Sequence, residues 1–422
     1  MRLPDHFATF GRLFALRNYR FYLGGIAASN VGVWVQRVAI GWLTWELTES
    51  TAWLGGIAIA EAAPMMVLGL IAGTVVDRMD HLRLLRITQA MSLVYSAVLA
   101  GLTLSGVMTI WLLLAITLLR GATMAFQRPS RMSLVFTLVG RDLLPTGLAV
   151  NSMVFNGSRF VGPALGGAII VAAGIGWAFA AAWVLFLVFT LALRRLSVPP
   201  TPRRPSGTTF TAETLEGMRY IAGHPGIRMQ MVVLISTAFF ARPLIDLFPG
   251  FAAQVFAGGP ETLASLMSAL GFGAVGGGLF LAGRRGGTVG MTTVTLGAMG
   301  GAALALLAFT ATGELWVALP LAAALGGALI VLGIGNQTLI QSAVAPALRG
   351  RVISLYGTAA RATPSVGALA IGGIAETVGL RPPVAAGALL CLMVWAWAWR
   401  RRRDYAVNLE APPPADEKPS AH

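Results

Sequence analysis

Long apolar runs alternate along the chain with short polar connections. About twelve runs reach the length, roughly 20 residues, that carries an α-helix across the hydrocarbon core of a bilayer. Because hydrocarbon offers backbone N–H and C=O groups no partner, each run is predicted to be helical. The predicted runs lie at residues 20–45, 52–76, 84–104, 109–127, 144–173, 177–194, 228–256, 262–282, 288–312, 315–343, 351–377 and 382–400.

Composition agrees with this pattern. The 422 residues are 56% hydrophobic and 11% charged, whereas a soluble domain carries about 25% charged residues. The sequence therefore predicts an all-α membrane protein with twelve transmembrane helices in two six-helix, pseudo-symmetric halves. The predicted boundaries are a cytoplasmic N-terminal segment at 1–19, a first half at 20–194, a polar cytoplasmic linker at 195–226, a second half at 227–403 and a disordered cytoplasmic tail at 404–422.

Charge is distributed by side of the membrane. The net charge of +14 would suit a nucleic-acid-binding protein, but the arginines lie in the connections that share a side with the termini. The opposite connections hold one arginine, Arg381, beside several glutamates. By the positive-inside rule both termini are predicted to be cytoplasmic, in a bacterial inner membrane, and nucleic acid is excluded as a partner.

An internal repeat is faintly visible. Arg159 and Pro163 in the fifth run correspond to Arg361 and Pro364 in the eleventh, and each pair precedes two adjacent glycines. The offset of about two hundred residues is half of the chain. Parallel six-helix repeats are typical of transporter folds that bind substrate between their halves.

The connection between the second and third runs is densely charged. Its pattern Gly73-x-x-x-Asp77-Arg78, followed by Arg83, resembles the loop signature of the major facilitator superfamily. The resemblance implies that Asp77, Arg78 and Arg83 latch the halves together on the cytoplasmic side. An ordinary positively charged cytoplasmic loop is the alternative. The matching second-half loop, GGGLFLAGRRGG, has Ala-Gly where the Asp-Arg pair would fall, so any latch there is asymmetric.

A second motif lies in the fifth run. Gly162-Pro163-x-x-Gly166-Gly167 resembles the superfamily's antiporter motif. Other segments, such as LRNYRFYL, AFQRPSR and RGRVISLYG, look like the drug:proton antiporter-3 branch, which contains the enterobactin exporter and macrolide efflux pumps. The resemblance implies a major facilitator fold in which this helix prevents leakage. The alternative is a helix that is merely kinked and tightly packed.

Charges inside the predicted runs are candidates for proton coupling. An ionisable residue near the bilayer centre costs at least about 2.5–3.5 kcal/mol, so it is expected to face the bundle interior. We predict that Glu61, Asp246 and Arg120 take part in coupling, with Arg120 or Arg37 as the partner of Glu61. A permanent structural ion pair is the alternative. Because Arg242 lies four residues before Asp246, those two are expected to pair on one helix face.

Polar residues in the runs are candidates for a substrate cavity. The surplus of arginines suggests an anionic ligand, with Arg159 and Arg361 facing it from the two halves. Hydrogen bonds from these arginines to helix carbonyls are the alternative. The predicted cavity residues are Asn30, Arg37, Arg159, Arg242, Arg361, Asn336 and Gln337.

Together these features predict a secondary active transporter that exports a small amphipathic compound (a drug, a macrolide or a siderophore-like molecule) in exchange for protons. It is expected to work as a monomer in the lipid bilayer by alternating access. We found no sequence pattern for an enzyme, a cofactor or a metal site. The alternatives are an uptake permease, a specific exporter of an anionic metabolite, and a non-transporting sensor or lipid-translocating member of the fold.

Overall fold

The computed structural model describes residues 11–198, 210–284, 287–346 and 348–410. Side-chain surroundings are described for these ranges except at 70–71, 73–74, 76–78 and 210–214. Throughout the described ranges the regular structure is helical and no strand occurs.

The N-terminal helices are long and closely connected. They are α1 (Arg17–Thr48), α2 (Thr51–Arg78), α3 (His81–Leu104), α4 (Ile110–Ala173) and α5 (Ile175–Arg194). Helix α4 is bent at Gly140, whose φ of 69° lies in the left-handed region that glycine tolerates. The predicted runs 109–127 and 144–173 therefore lie on either side of one bend.

The C-terminal helices are interrupted more often. They are α6 (Phe210–Gly223), α7 (Pro225–Phe240), α8 (Leu244–Gly250), α9 (Pro260–Gly283), α10 (Met291–Ala311), α11 (Leu315–Ala343), α12 (Arg349–Val378), α13 (Arg381–Arg400) and α14 (Arg402–Glu410). The predicted run 228–256 is not one helix. It breaks between α7 and α8, where Pro243 cannot donate a backbone hydrogen bond, and it ends in a π-helical turn at Phe251–Val255.

Membrane-length helices dominate. In the described part of the chain, nine helices are long and apolar enough to cross a membrane. Helices α1 and α12 lie outside that set although each coincides with a predicted run, so a total of twelve spans stays a prediction. Large apolar side chains such as Trp111, Phe272 and Trp316 are exposed, as expected where lipid replaces water.

The helices form two compact units. The first contains α1 to α5 together with Pro249–Ser268, and in it α1 packs on α4 and α5 while α2 packs on α4. The second contains the described residues of 210–248 and 269–410, and in it α10 packs on α11 and α13 while α12 packs on α6 and α7. Pro249–Ser268, predicted within the second half, thus packs with the first unit.

Part of the predicted linker is a docked helix. Glu216 of α6 forms a salt bridge of 2.6 Å with Arg351 of α12. The Tyr220 hydroxyl, also on α6, accepts a hydrogen bond from the backbone N–H of Ala345 at 3.2 Å. These contacts attach α6 to the second unit, whereas residues 199–209 lie outside the described part.

The predicted disordered tail begins with a helix instead. Helix α14 buries Leu409 completely, and the Glu410 carboxylate accepts hydrogen bonds from the backbone N–H groups of Gly290 at 2.6 Å and Thr292 at 2.9 Å. The first N–H groups of a helix have no partner within it, and a negative group there also interacts favourably with the helix dipole. Glu410 therefore caps α10, which explains the order at residues 404–410. Residues 411–422 of the predicted tail lie outside the described part.

Replacing the capping carboxylate tests this docking. Glu410→Ala should destabilise the second unit by about 1 kcal/mol, the usual cost of losing an N-terminal cap. Thermal unfolding is measured with a thiol-reactive dye, because Cys391, the single cysteine of the chain, is buried. Asp404→Ala is the control, since Asp404 is an exposed acid of the same helix. Equal unfolding midpoints for the two variants would contradict the capping role.

Candidate functional site

A buried ion pair lies in the first unit. Arg120 Nη1 of α4 lies 2.8 Å from Glu61 Oε2 of α2. The Arg120 side chain is 2% exposed and that of Glu61 is 29% exposed. Arg37 and Arg128 add positive potential at the same carboxylate. Glu61 is therefore partly exposed while its partner is enclosed.

The two helices approach each other closely at this pair. A side chain at Gly121, next to Arg120, would overlap the backbone carbonyl of Glu61. Small residues allow such close approach of helices in membranes. The same crossing thus brings the backbones together and sets the ion pair.

A group of hydrogen-bonded polar side chains lies near this pair in the first unit. Gln127 Nε2 donates to Gln89 Oε1 at 3.2 Å and to Ser92 Oγ at 3.3 Å. The Tyr95 hydroxyl donates to the same Ser92 oxygen at 2.8 Å and lies within electrostatic reach of Arg120 and Glu61. In hydrocarbon such groups need partners inside the protein, and these provide them for one another.

A partly buried arginine also lies in the first unit. Arg131 donates to Ser29 Oγ at 3.1 Å and to Asn30 Oδ1 at 3.5 Å, and its guanidinium lies 5.3 Å from the centre of the Phe189 ring. Asn30, predicted as a cavity residue, is buried here as a partner of Arg131.

Two predicted cavity arginines share one aromatic ring. The guanidinium carbons of Arg37 and Arg159 lie 5.5 Å and 5.4 Å from the centre of the Trp34 ring. Cation–π contacts at this distance stabilise a charge that has left bulk water. In the structure Arg159 is thus held by an aromatic side chain, an arrangement that neither sequence-based alternative included.

The antiporter-motif glycines are contact points. A Cβ at Gly162 would overlap Trp34, and one at Gly166 would lie 3.1 Å from the Val35 Cα, so both glycines pack on α1. A Cβ at Gly167 would overlap the Cβ of Ala264, at the start of α9 in the first unit. Pro163, also buried, lies within α4 beside them.

The predicted latch is only partly described. Gly73, Asp77 and Arg78 lie in the last turns of α2, but their side chains fall outside the described part. Arg83 is exposed, and its backbone N–H donates at 2.7 Å to Asp80, which caps α3. The latch itself stays a prediction.

Arg86, near the start of α3, contacts the end of α5. Its guanidinium donates to the backbone carbonyls of Leu193 at 2.9 Å and Leu196 at 3.0 Å. This arginine therefore fastens the start of α3 to the end of α5.

A cavity of about 610 Å³ lies in the second unit. Its polar lining includes Arg242, Gln337, Ser354, Tyr356 and Arg361. Small-molecule sites in proteins typically measure about 300–1,000 Å³ and place a few polar groups on mostly apolar walls. The walls fit this description, with Leu329, Ile330, Ile334 and Ile353.

Three further predicted site residues lie in the second unit. The helix is broken at 241–243, with Arg242 in the break and Asp246 in α8, and the pairing of these two residues stays a prediction. Arg242 Nη1 donates to the Ala360 carbonyl at 3.4 Å and lines the cavity. Asn336 is buried and donates to the Gln230 carbonyl at 3.0 Å, so it is a packing residue of α11 and α7.

Several important residues were not among the predicted ones. Three of them are polar residues within or beside apolar runs, a pattern that can be read from the sequence: Gln89, Gln127 and Arg131. Tyr356, whose hydroxyl donates to the Gly333 carbonyl at 3.1 Å, carries no such signal.

Membrane-length apolar helices with charged side chains in their interior and a cavity of ligand size are typical of polytopic membrane transporters. Residues 14–414 match the family of transmembrane secretion effectors, and the chain belongs to that family. It is a transporter of the major facilitator superfamily, as the sequence motifs predict, and not an enzyme.

Curated relatives agree with this assignment. The multidrug efflux pump Tap of Mycolicibacterium fortuitum is 26% identical over 382 residues, which cover 87% of this chain and 91% of that protein. The staphyloferrin A transporter of Staphylococcus aureus is 28% identical over 141 residues, or 33% of this chain and 36% of that protein.

Solved structures show the same fold. A bacterial homologue of the human lysosomal transporter Spinster, solved inward-facing and unoccupied, superimposes with a TM-score of 0.69 at 15% identity, covering 94% of this chain and 99% of that chain. The nucleoside transporter NupG gives 0.65 at 10% identity, with 92% and 99% covered. The predicted major facilitator fold is confirmed.

The contact at Gly167 can be tested by adding one methyl group. Gly167→Ala should lower the unfolding midpoint, because overpacking typically costs about 1–3 kcal/mol. Gly157→Ala, in the same helix but with open space around its added Cβ, should be neutral or slightly stabilising. Removing the opposing methyl with Ala264→Gly should restore the stability of Gly167→Ala. Failure of that rescue would show that the two residues do not share a packing contact.

Proposed function

We propose that the protein exports a small amphipathic compound across the bacterial cytoplasmic membrane in exchange for protons, as a monomer with both termini in the cytoplasm. The similarity to the efflux pump Tap over most of both chains supports export. The observation that carries the proposal is the Glu61–Arg120 ion pair, in which a partly exposed carboxylate faces an enclosed arginine.

Protonation of Glu61 would change the energy of the α2–α4 crossing. A proton on the carboxylate removes the negative charge and leaves Arg120 enclosed with a weaker partner. Breaking a buried ion pair by removing one charge is strongly destabilising. The helices therefore relieve that cost by moving apart or by admitting water. This links proton binding to a conformational change, as antiport requires.

A second candidate function follows from another relative. The staphyloferrin A transporter matches a third of this chain, which supports transport of one specific metabolite as the second candidate. The polar lining of the second-unit cavity fits either function. Counterflow of labelled compounds in proteoliposomes separates a specific exporter from a multidrug pump.

The coupling role of Glu61 is tested with a variant that keeps its shape. Glu61→Gln should abolish dye efflux driven by an imposed pH gradient in proteoliposomes, because an amide does not take up a proton near neutral pH. Glu61→Asp should retain part of the activity, and Glu49→Gln, which changes an exposed glutamate, should transport normally. Gradient-driven efflux by Glu61→Gln at the parental rate would rule out Glu61 as the proton carrier.

The cytoplasmic latch is a separate proposal. Asp77, Arg78 and Arg83 are proposed to hold the cytoplasmic side closed in one state of the cycle, as the resemblance of their motif implies. Asp77→Asn should reduce transport without reducing the amount of protein inserted in the membrane. Asp142→Asn changes an exposed acid in α4 and is the matched control. Equal transport rates for both variants would remove Asp77 from the gating mechanism.

A further inference from the structure

An arginine of the second-unit cavity has no partner within the described part of the chain. Arg361 lies on α12, is exposed to the cavity, and makes no hydrogen bond or ion pair with any described residue. Its guanidinium occupies space beside Gly357, where a Cβ would lie 2.9 Å from its Nη2. The absence of a side chain at Gly357 thus makes room for the charge.

The surroundings of Arg361 favour an anion. Arg242 lines the same cavity and is positioned by the Ala360 carbonyl, and no acidic residue is among the described lining residues. Gln337 and Ser354, both exposed, supply further hydrogen-bonding groups. A guanidinium presents a planar set of donors that matches carboxylate, sulfonate or phosphate oxygens.

The apolar walls limit what the rest of the ligand can be. Leu329, Ile330, Ile334 and Ile353 line the cavity, so a fully hydrated inorganic anion would leave these walls exposed to water. A molecule with an anionic group and an apolar body satisfies both the arginine and the walls.

We infer that the cavity binds anionic amphiphiles, with Arg361 as the residue that contacts the anionic group and Arg242 as a second cation beside it. This inference rests on the proposed transport function, because it specifies the substrate class of the same protein. It does not depend on proton coupling, since Glu61 and Arg120 belong to the first unit.

The experiment compares two probes that differ by one sulfonate group. Anilinonaphthalene sulfonate and its uncharged analogue N-phenylnaphthylamine are dialysed against the full-length protein in nanodiscs of neutral lipid, with empty discs subtracted. Charged hydrogen bonds contribute enough for about a tenfold preference for the sulfonate. Arg361→Gln should reduce that preference to about one, and Arg361→Lys should keep part of it.

The control is Arg403→Gln, which removes an exposed arginine of α14 that does not line the cavity. It should leave the preference unchanged. Cys391 labelling on heating shows that each variant is folded. Equal binding of the two probes by the parent, or an Arg361→Gln preference as large as the parent's, would overturn the inference.

Two further arms separate the possible outcomes. The first arm repeats the measurement in discs that contain phosphatidylglycerol. If sulfonate binding is lost there and the loss depends on Arg361, a lipid phosphate occupies the cavity; if binding is unchanged, the ligand is a soluble anion. Both outcomes support the inference. A parent that binds the sulfonate but shows no pH-driven efflux would refute proton coupling and leave the anion site intact.

Discussion

A polar group inside a hydrocarbon layer must find its partner within the protein. This constraint explains the interior of the first unit, where Arg120 meets Glu61 and Gln127 meets Gln89. Each of these side chains lies on a long apolar helix, and without them any face of that helix could be turned toward lipid. Their mutual contacts fix how the helices are rotated about their axes, which apolar packing alone specifies weakly because lipid is as apolar as the side chains.

Close helix contact and charge pairing occur at the same place. Gly121 brings α4 against the Glu61 backbone, one residue away from the arginine that binds the Glu61 carboxylate. A change in the charge of Glu61 therefore acts at a close contact of the two helices, where a small separation would displace both backbones. In a tightly packed bundle such a shift moves helices as units rather than being absorbed by side chains.

The sequence contains the local part of this structure. Runs of apolar residues and the proline and glycine spacing in α4 are local patterns, so the helices and the contact glycines were predictable from them. The sequence left Arg120 and Arg37 as alternative partners of Glu61, because burial shows that a carboxylate needs a partner but does not show which residue supplies it. The Trp34 stack and the α10 cap were not predictable. Glu410 lies 120 residues from Gly290 in sequence, and only the folded chain brings them together.

The two arginines at equivalent positions of the repeat have different surroundings. Arg159 is held against Trp34, whereas Arg361 extends over Gly357 into a cavity. An aromatic neighbour stabilises a cation permanently, while an open cavity leaves its stabilisation to water or to a ligand. In the proposed mechanism the proton binds Glu61 in the first unit, and the anionic substrate binds Arg361 in the second unit. The two ligands then do not compete for one side chain, so any coupling between them has to pass through movement of the helices.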